Sequence, residues 1–412
     1  MQRRLRIMAV CALNLSVSRA FSPARALVGH MAARNGIPGS YRSFQQSFQL
    51  RRLAAARADG EAFEEYGAKR ASFEPNEPAV GPTALQTPGS GGTASTTWPN
   101  YYCAPDLERN GRDELLQPGG LDAELGSENA RFVLVWQGKN LFRPAGDGAY
   151  EAVLLSHVDA APFVRDRQSI MIFLGKYDGK SVFGLDVSHK ESVHVDSHSD
   201  VVFEQLRSLG GLLTDDHDAG ILASARGMSV WHRTTAFCQR CGSGEMAPAK
   251  IGTSRECKSC GARVFPRTDP SVIVAVTCAE NQHMLMGRKT SWPAGRYSTL
   301  AGFSEMGESL EECVLREVFE ESGVRVCKDS LRFSSSQPWP FPRSLMIGFQ
   351  AAAEPVSDGS LPPITVQVEE MEDVRWFSRE QVRAAIAGED GYSIPGRASL
   401  AYSLITSWAN SP

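Results

Sequence analysis

From about residue 98 onward, short apolar blocks alternate with polar stretches, and their lengths predict strands interleaved with a few amphipathic helices. Arg131–Gln137 and Glu151–Val158 read as strands. Ser169–Phe173 and Ser181–Val187 read as two more, joined through Asp178-Gly179, a pair suited to a tight hairpin turn. Two helices follow, Val201–Leu213 and then Asp215–His232 with Thr214 as its cap. In the second half Ser271–Cys278 and Met284–Arg288 are apolar runs parted by polar Glu280–His283. Ser309 and Glu312 form a capping box that opens a helix, and Gly323 is placed to close it. Ser378 and Gln381 open another, ended by Gly388, and a last helix is expected over Arg397–Trp408. The mixture predicts an α+β chain without internal repeats.

Charge divides the sequence unevenly. Residues 1–58 hold ten Arg, no Lys and no acid, which leaves 33 basic against 47 acidic residues in the remainder. A body that acidic lacks the cationic surface that non-specific nucleic-acid binding requires. The acid-free head reads as a targeting segment. Mitochondrial and plastid transit peptides share its composition. Arg3, Arg4 and Arg6 before Ile7–Leu15, with Phe21-Ser22-Pro23 behind, also resemble a signal peptide leading into a transit segment. A disordered tail is the bland alternative. The expected destination is a mitochondrion or plastid, or else the cytoplasm or peroxisome. Residues 59–97, ending in Pro88-Gly89-Ser90-Gly91-Gly92, bury too little to order themselves and read as a linker. No apolar run is long enough to span a bilayer, so no membrane association is expected.

Four of nine cysteines form two Cys-x-x-Cys pairs, Cys238/Cys241 and Cys257/Cys260, fifteen residues apart. That is zinc-ribbon spacing, and Gly242 and Gly261 follow each pair where the backbone must turn toward sulfur. Four thiolates close a tetrahedral shell, so one structural Zn²⁺ per chain is expected, in a reducing compartment. The other cysteines read as core filler.

The stretch Gly302 to Val324 holds the densest chemistry. On the predicted helix Glu317, Glu320 and Glu321 share an arc of roughly 100°, while Val314, Leu315, Val318 and Phe319 form the packing side. Three carboxylates on one short face repel one another, and hard divalent cations such as Mg²⁺ or Mn²⁺ would relieve them. Taken alone, an acidic solvated face is the simpler reading. The whole stretch, however, matches the Nudix box G-x5-E-x7-R-E-U-x-E-E-x-G-U at every defined position, and the chain resembles that hydrolase family. The resemblance implies an α/β/α sandwich and metal-assisted attack of water on a nucleoside-diphosphate linkage. It implies Glu317 and Glu321 as metal ligands, Glu320 as a third catalytic carboxylate, and Glu321 as the favoured general base. Glu308 and Arg316 would be an ion pair holding loop to helix, with Gly302 and Gly323 structural.

Downstream lies Ser336-Gln337-Pro338-Trp339-Pro340-Phe341-Pro342-Arg343-Ser344. Its alternate prolines predict a stiff, extended wall on which a ring can stack while Gln337 and Ser344 bond polar edges. At this distance from the box the segment resembles the signature of the NADH pyrophosphatase subgroup. The resemblance covers roughly residues 98–410. It implies a Nudix-like first domain (98–233), the ribbon (234–265) and a catalytic Nudix domain (266–412). It also implies the Ala301 carbonyl and Glu370 as further metal ligands. Phe303 and Phe265, the latter where the subgroup has Tyr, would be stacking rings. Ala401 and Arg207 would be further substrate contacts. The subgroup's acid inside the ribbon is missing, Gly252 being the nearest equivalent. The implied reaction converts NAD(H) to NMN(H) and AMP, with NAD-capped RNA as a second substrate and a homodimer as the assembly. The rivals are a Nudix enzyme preferring ADP-ribose, a flavin dinucleotide or diadenosine polyphosphates, and a non-catalytic zinc-ribbon RNA or nucleotide adaptor.

Overall fold

The computed structural model describes residues 101–411 apart from Ala279 and Asp390, all within one compact unit. The expected targeting segment and linker lie outside the described residues.

The first domain is a mixed sheet of six strands: β1 (Ala130–Trp136), β2 (Lys139–Gly146), β3 (Ala149–Ala152), β4 (Ile170–Tyr177), β5 (Lys180–Asp186) and β6 (Val202–Glu204). Their order is β3-β2-β1-β5-β4, with β6 beside β2. Strands β1 and β5 run parallel, and β4 and β5 form the expected hairpin. Asp178 and Gly179 sit at φ 49° and 68°, the left-handed pair that such a turn demands. Alternation along β1 sends Phe132 and Leu134 to one face, beneath helix α1 (His157–Val164). Val133 and Val135 go to the other, beneath helix α2 (Asp216–Thr234).

The ribbon's three short strands are β7 (Met246–Pro248), β8 (Arg255–Cys257) and β9 (Arg263–Val264). The second large sheet comprises β10 (Asp269–Cys278), β11 (His283–Arg288), β12 (Leu300–Phe303), β13 (Arg332–Trp339), β14 (Ser344–Ala352) and β15 (Asp373–Ser378). Its order is β13-β14-β10-β11-β15, and β12 pairs with β10. Helix α3 (Leu310–Ser322) covers one face through Cys313, Val314 and Val318 against Val272, Val274 and Val276. Helix α5 (Leu400–Asn410) covers the opposite face through Leu404, Ile405 and Trp408 against Ile273 and Ala275, beside the shorter α4 (Arg379–Ala387). Helices on both faces of a mixed sheet make the α/β/α sandwich that the family resemblance implies.

Several expectations need correction. The strand placed at Glu151–Val158 stops at Ala152, because Ser156 accepts the Asp159 amide and starts α1. The helix placed at Val201–Leu213 is edge strand β6, one helical turn (Leu206–Leu209) and a 3-10 turn (Gly210–Leu212). Pairing of Phe203 with Leu141 captures the start, and two glycines weaken the rest. Asp215, not Thr214, caps α2 by accepting the His217 amide. The final helix begins at Leu400, capped by Ser399. Phe319 is exposed beneath the Arg325 guanidinium instead of packing on the sheet.

Candidate active site

Helix α3 forms as its sequence dictates: both halves of the Ser309/Glu312 capping box are made, and Gly323 closes it at φ 70°. Its acids range from exposed Glu320 to buried Glu321. Arg316 joins Glu308 through two bonds of 2.7 and 2.9 Å, the expected clamp of loop to helix. The same guanidinium also reaches Glu317 at 2.7 Å, Glu320 at 3.1 Å and the Phe303 carbonyl at 2.9 Å. Its grip holds the Glu308 carboxyl down at about 2. Glu321 is 1 % exposed. Burial raises its pKa to about 7, with Lys289 opposing and Glu317 and Glu370 adding to the rise. Burial raises Glu317 as well, against the pull of Arg316, and Glu370 again contributes. Glu370 thus lies near enough for its charge to act on both Glu317 and Glu321. Glu320 is half exposed and bonded to Arg316.

Sequence reading missed Lys289. Its ammonium lies 3.7 Å from Glu321, and its only signal was a basic residue one step beyond an apolar strand. Strand β12 presses its backbone on the cluster, and Gly302 leaves room for the Glu317 carboxyl group. One oxygen of Glu321 (Oε2) is buried with no hydrogen-bond partner.

A cavity of about 1580 Å³ opens between the two sheets' helices. Phe265, Pro338, Trp339, Pro340, Arg343 and Ser344 line it, as expected of a substrate wall, whereas the carboxylates do not. Sheet register links the two places. Gly302, Val272, Ile347 and Ser336 fall in one row across β12, β10, β14 and β13. Three strand spacings, about 14 Å, therefore separate Gly302, which lies against Glu317, from Ser336, which lines the cavity. Phe303, pairing with Ser271, and Trp339, pairing with Ser344, stand at the same end of the sheet. Phe265 and Phe303 are both well exposed, with faces free to stack.

Other candidates are placed differently. The proline segment is extended only to Trp339; residues 340–343 form a turn into β14. Gln337 is 1 % exposed and engaged internally. Its Nε2 donates to the carbonyls of Tyr101 and Ala398, both at 3.0 Å, and its Oε1 accepts the Leu400 amide at 2.8 Å. It pins elements together and has no group left for a ligand edge. Phe341 packs on Tyr102 under Arg226, and Pro342 is an exposed turn residue. Arg343 pairs with Asp269 at 2.9 Å. Ala401 is buried in the α5 core. Arg207 stands over the Trp339 ring at 5.8 Å.

A family model described as a NUDIX domain matches residues 267–395, and one described as an NADH pyrophosphatase-like rudimentary NUDIX domain matches 129–231. A Mycobacterium bovis protein named NAD-capped RNA hydrolase NudC is 37 % identical over 246 residues, 58 % of this chain and 75 % of that protein. The chain belongs to the Nudix hydrolase family. This Nudix hydrolase also resembles NAD-capped RNA hydrolase NUDT12 of Macaca fascicularis, 37 % identical over 47 % of this chain and 42 % of that one. Nudix hydrolase 19, chloroplastic, of Arabidopsis thaliana is 41 % identical over 41 % of this chain and 38 % of that protein.

Between its two family matches the Nudix hydrolase carries the four-cysteine group. The sulfurs of Cys238, Cys241, Cys257 and Cys260 lie within 4.8 Å of one another, close enough to share one metal ion. Gly242 and Gly261 take φ 74° and 72°, the turns expected behind each pair. Among the described residues no three carboxylates are drawn together as tightly, since Arg316 holds Glu317 while Lys289 faces Glu321. Gly252 proves to be a docking contact. A Cβ there would stand 2.0 Å from the Met171 carbonyl, so an acidic side chain has no room. Next to it Ile251 enters the first domain's core and its carbonyl accepts the Phe173 amide at 2.9 Å. Among the described residues no helix is long and apolar enough to cross a membrane.

Proposed function

We propose that this enzyme hydrolyses the pyrophosphate of NAD(H) to NMN(H) and AMP with Mg²⁺ or Mn²⁺, and cuts the same bond at the NAD-capped end of RNA. One observation carries the reading: Glu317, next to buried Glu321, lies against Gly302 at one side of the sheet, and Ser336, in the lining of the aromatic-walled cavity, lies three strand spacings, about 14 Å, across the same sheet. A dinucleotide has a ring system at each end of a central pyrophosphate and matches that layout. The names borne by the Mycobacterium and Macaca relatives agree with it.

The donor set suits a hard cation. Glu321 presents a buried oxygen without a partner, and Glu317 and Glu370 crowd it with charge that a cation would offset. Glu317, Glu321, Glu370 and the Ala301 carbonyl would hold the ions. When bound, Mg²⁺ or Mn²⁺ neutralises the pyrophosphate and acidifies the attacking water. Glu321, whose buried carboxyl takes up a proton near neutrality, is the general base. Glu320 assists from the rim. Arg316 fixes Glu317 and holds the Glu308 loop to the helix. Phe303 and Phe265 stack on the rings, with Trp339 as the nicotinamide platform and Arg207 above it.

The four cysteines hold a structural Zn²⁺, the working assembly is a homodimer, and the Arg-rich head directs the chain to a plastid or mitochondrion. Mass spectrometry of products formed from NADH in ¹⁸O water with Mg²⁺ or Mn²⁺ tests the activity. NMNH and AMP, one carrying the label, are expected. Rates well above those on ADP-ribose, flavin dinucleotide and diadenosine polyphosphates are expected in a panel; ADP-ribose ranking first would replace the substrate.

A further inference from the structure

The residues ahead of both family matches, Tyr101 to Ala104, do not trail along the surface. They form a strap across the junction of the two Nudix-fold lobes, locked at several points. The Tyr101 carbonyl accepts Gln337 at 3.0 Å, and its hydroxyl bonds Asp216. The Arg397 guanidinium lies 5.4 Å from the Tyr101 ring and donates to the Gly211 carbonyl at 2.6 Å. On the far side the Cys103 carbonyl occupies space that only a glycine at 220 leaves open, a Cβ there standing 2.1 Å away.

Between these anchors sits Tyr102, in the left-handed region at φ 68° and 2 % exposed. A turn that unfavourable for a bulky residue persists only where surrounding contacts impose it. Its ring meets Trp339 edge-on at 5.8 Å and Phe341 at 5.4 Å, and those two meet each other at 5.1 Å. Gly210 of the first domain makes room for it, since a Cβ there would lie 2.6 Å from the Tyr102 hydroxyl. Arg207 stands over Trp339 and Arg226 over Phe341, so each of these rings also meets a guanidinium. Two of the three rings come from the last residue of β13 and from the turn that leads out of it. The third comes from the strap.

We propose that Tyr102 is a positioning residue that sets the angle of Trp339 in the cavity, and so selects substrates that place a nicotinamide on that ring. Stacking strength depends on ring angle and offset. A tryptophan at the end of a strand, followed at once by a turn, has few neighbours to fix it. Tyr102 supplies an edge-on contact and Arg207 a guanidinium over the ring. The first domain thereby takes part in recognition through Gly210 and Arg207, without supplying a carboxylate. The inference rests on the proposed reading of Trp339 as the nicotinamide platform.

The test compares Tyr102→Leu, Tyr102→Phe and Gly210→Ala in the full chain, with NADH and with ADP-ribose, which keeps the adenosine diphosphate and lacks nicotinamide. Tyr102→Leu should raise KM for NADH about tenfold with kcat within about twofold, and leave KM for ADP-ribose within about twofold. Tyr102→Phe keeps the ring and should recover most of the loss. Should Tyr102→Leu fail to fold, Gly210→Ala reads the same relationship from the opposite side. It pushes on the hydroxyl and on the ring carbons Cε1 and Cζ, at 2.6, 2.9 and 3.1 Å, so Gly210→Ala should raise KM for NADH and spare ADP-ribose, and Tyr102→Phe, which keeps those ring atoms, should rescue it only in part. A role in stability alone would change both substrates by one factor, and that result, or no change in either, overturns the inference. Wild-type enzyme that cleaves ADP-ribose and ignores NADH would instead defeat the substrate reading, and the inference with it.

Discussion

The Glu317 carboxyl group occupies the space where Gly302 would carry a side chain: a Cβ at 302 would stand 1.9 Å from the carboxyl carbon. The obstructing atoms are the far end of a flexible side chain, so an added methyl group would displace the acid more readily than it would strain the backbone. Gly302→Ala should therefore leave the melting temperature nearly unchanged and lower kcat by about 100-fold, the scale expected when a reacting group moves by about 1 Å. Thermal melting and steady-state rates on NADH check both halves. A large loss of stability with normal activity in the folded fraction would contradict the geometry.

Glu321 gives the cluster a pH signature. Burial raises its pKa from the ordinary 4.5 to about 7. In metal-free protein the folded chain keeps a proton that the unfolded chain has already released. Through this group stability falls as pH rises from about 4.5 to about 7, by up to about 3 kcal/mol. Glu321→Gln should abolish that slope, melting higher than wild type at pH 8 without metal and about equally at pH 4.5. Activity should fall by at least about 1000-fold, as for loss of a general base that is also a ligand. Mg²⁺ or Mn²⁺ should raise the wild-type melting temperature at pH 8 and have little effect on the variant. Equal melting of the two proteins across this range would mean the carboxyl is not held as described.

Much of this site was legible in the residues, for identifiable reasons. Capping at Ser309 and Gly323 is local chemistry, so the helix bearing Glu317 and Glu321 could be placed to the residue. Cysteine spacing likewise encodes a metal shell directly. What could not be read depends on distant chain. Gln337 sits in a motif rich in ring-stacking residues, yet its partners Tyr101, Ala398 and Leu400 come from both ends of the described chain. Lys289 becomes a site residue only because β11 ends beside α3. The helix expected at Val201–Leu213 fails because β2 offers an open edge to Phe203, which no local pattern reveals. Gly252 looked like a lost acidic contact, whereas Met171 excludes any side chain there.

Gln337 offers a stability test rather than a binding test. Its amide satisfies two carbonyls and one amide proton in a buried setting. Gln337→Leu would leave those three groups without partners, each costing about 1–3 kcal/mol. We expect a melting temperature lower by many degrees. Turnover of NADH at low temperature, where the protein stays folded, should remain within about fivefold of wild type. Glu at this position keeps the acceptor and loses both donors, so Gln337→Glu should also destabilise. A selective rise in KM without loss of stability would return Gln337 to the ligand-binding role expected from its motif.

The ribbon should depend on its metal more than either large sheet does. Its own core is small: Cys238, Met246 and Cys257, with Cys260, Ala262 and Val264 partly covered. Strands of two and three residues cannot hold together on so little apolar area, so an ion held by the four cysteines would supply the folding energy. Ile251 from the ribbon completes the first domain's core, and the Gly252 carbonyl accepts from buried His232 at 2.7 Å. Trp231, 4 % exposed and edge-on to His232 at 4.7 Å, reports on that junction. Metal analysis of the purified chain should give one zinc. Cys257→Ser, or a strong chelator, should remove it, lower the melting temperature and shift Trp231 emission to the red, a shift that Trp231→Phe eliminates. Zinc loss that leaves this emission and the melting temperature unchanged would mean that Ile251 stays docked on its own packing.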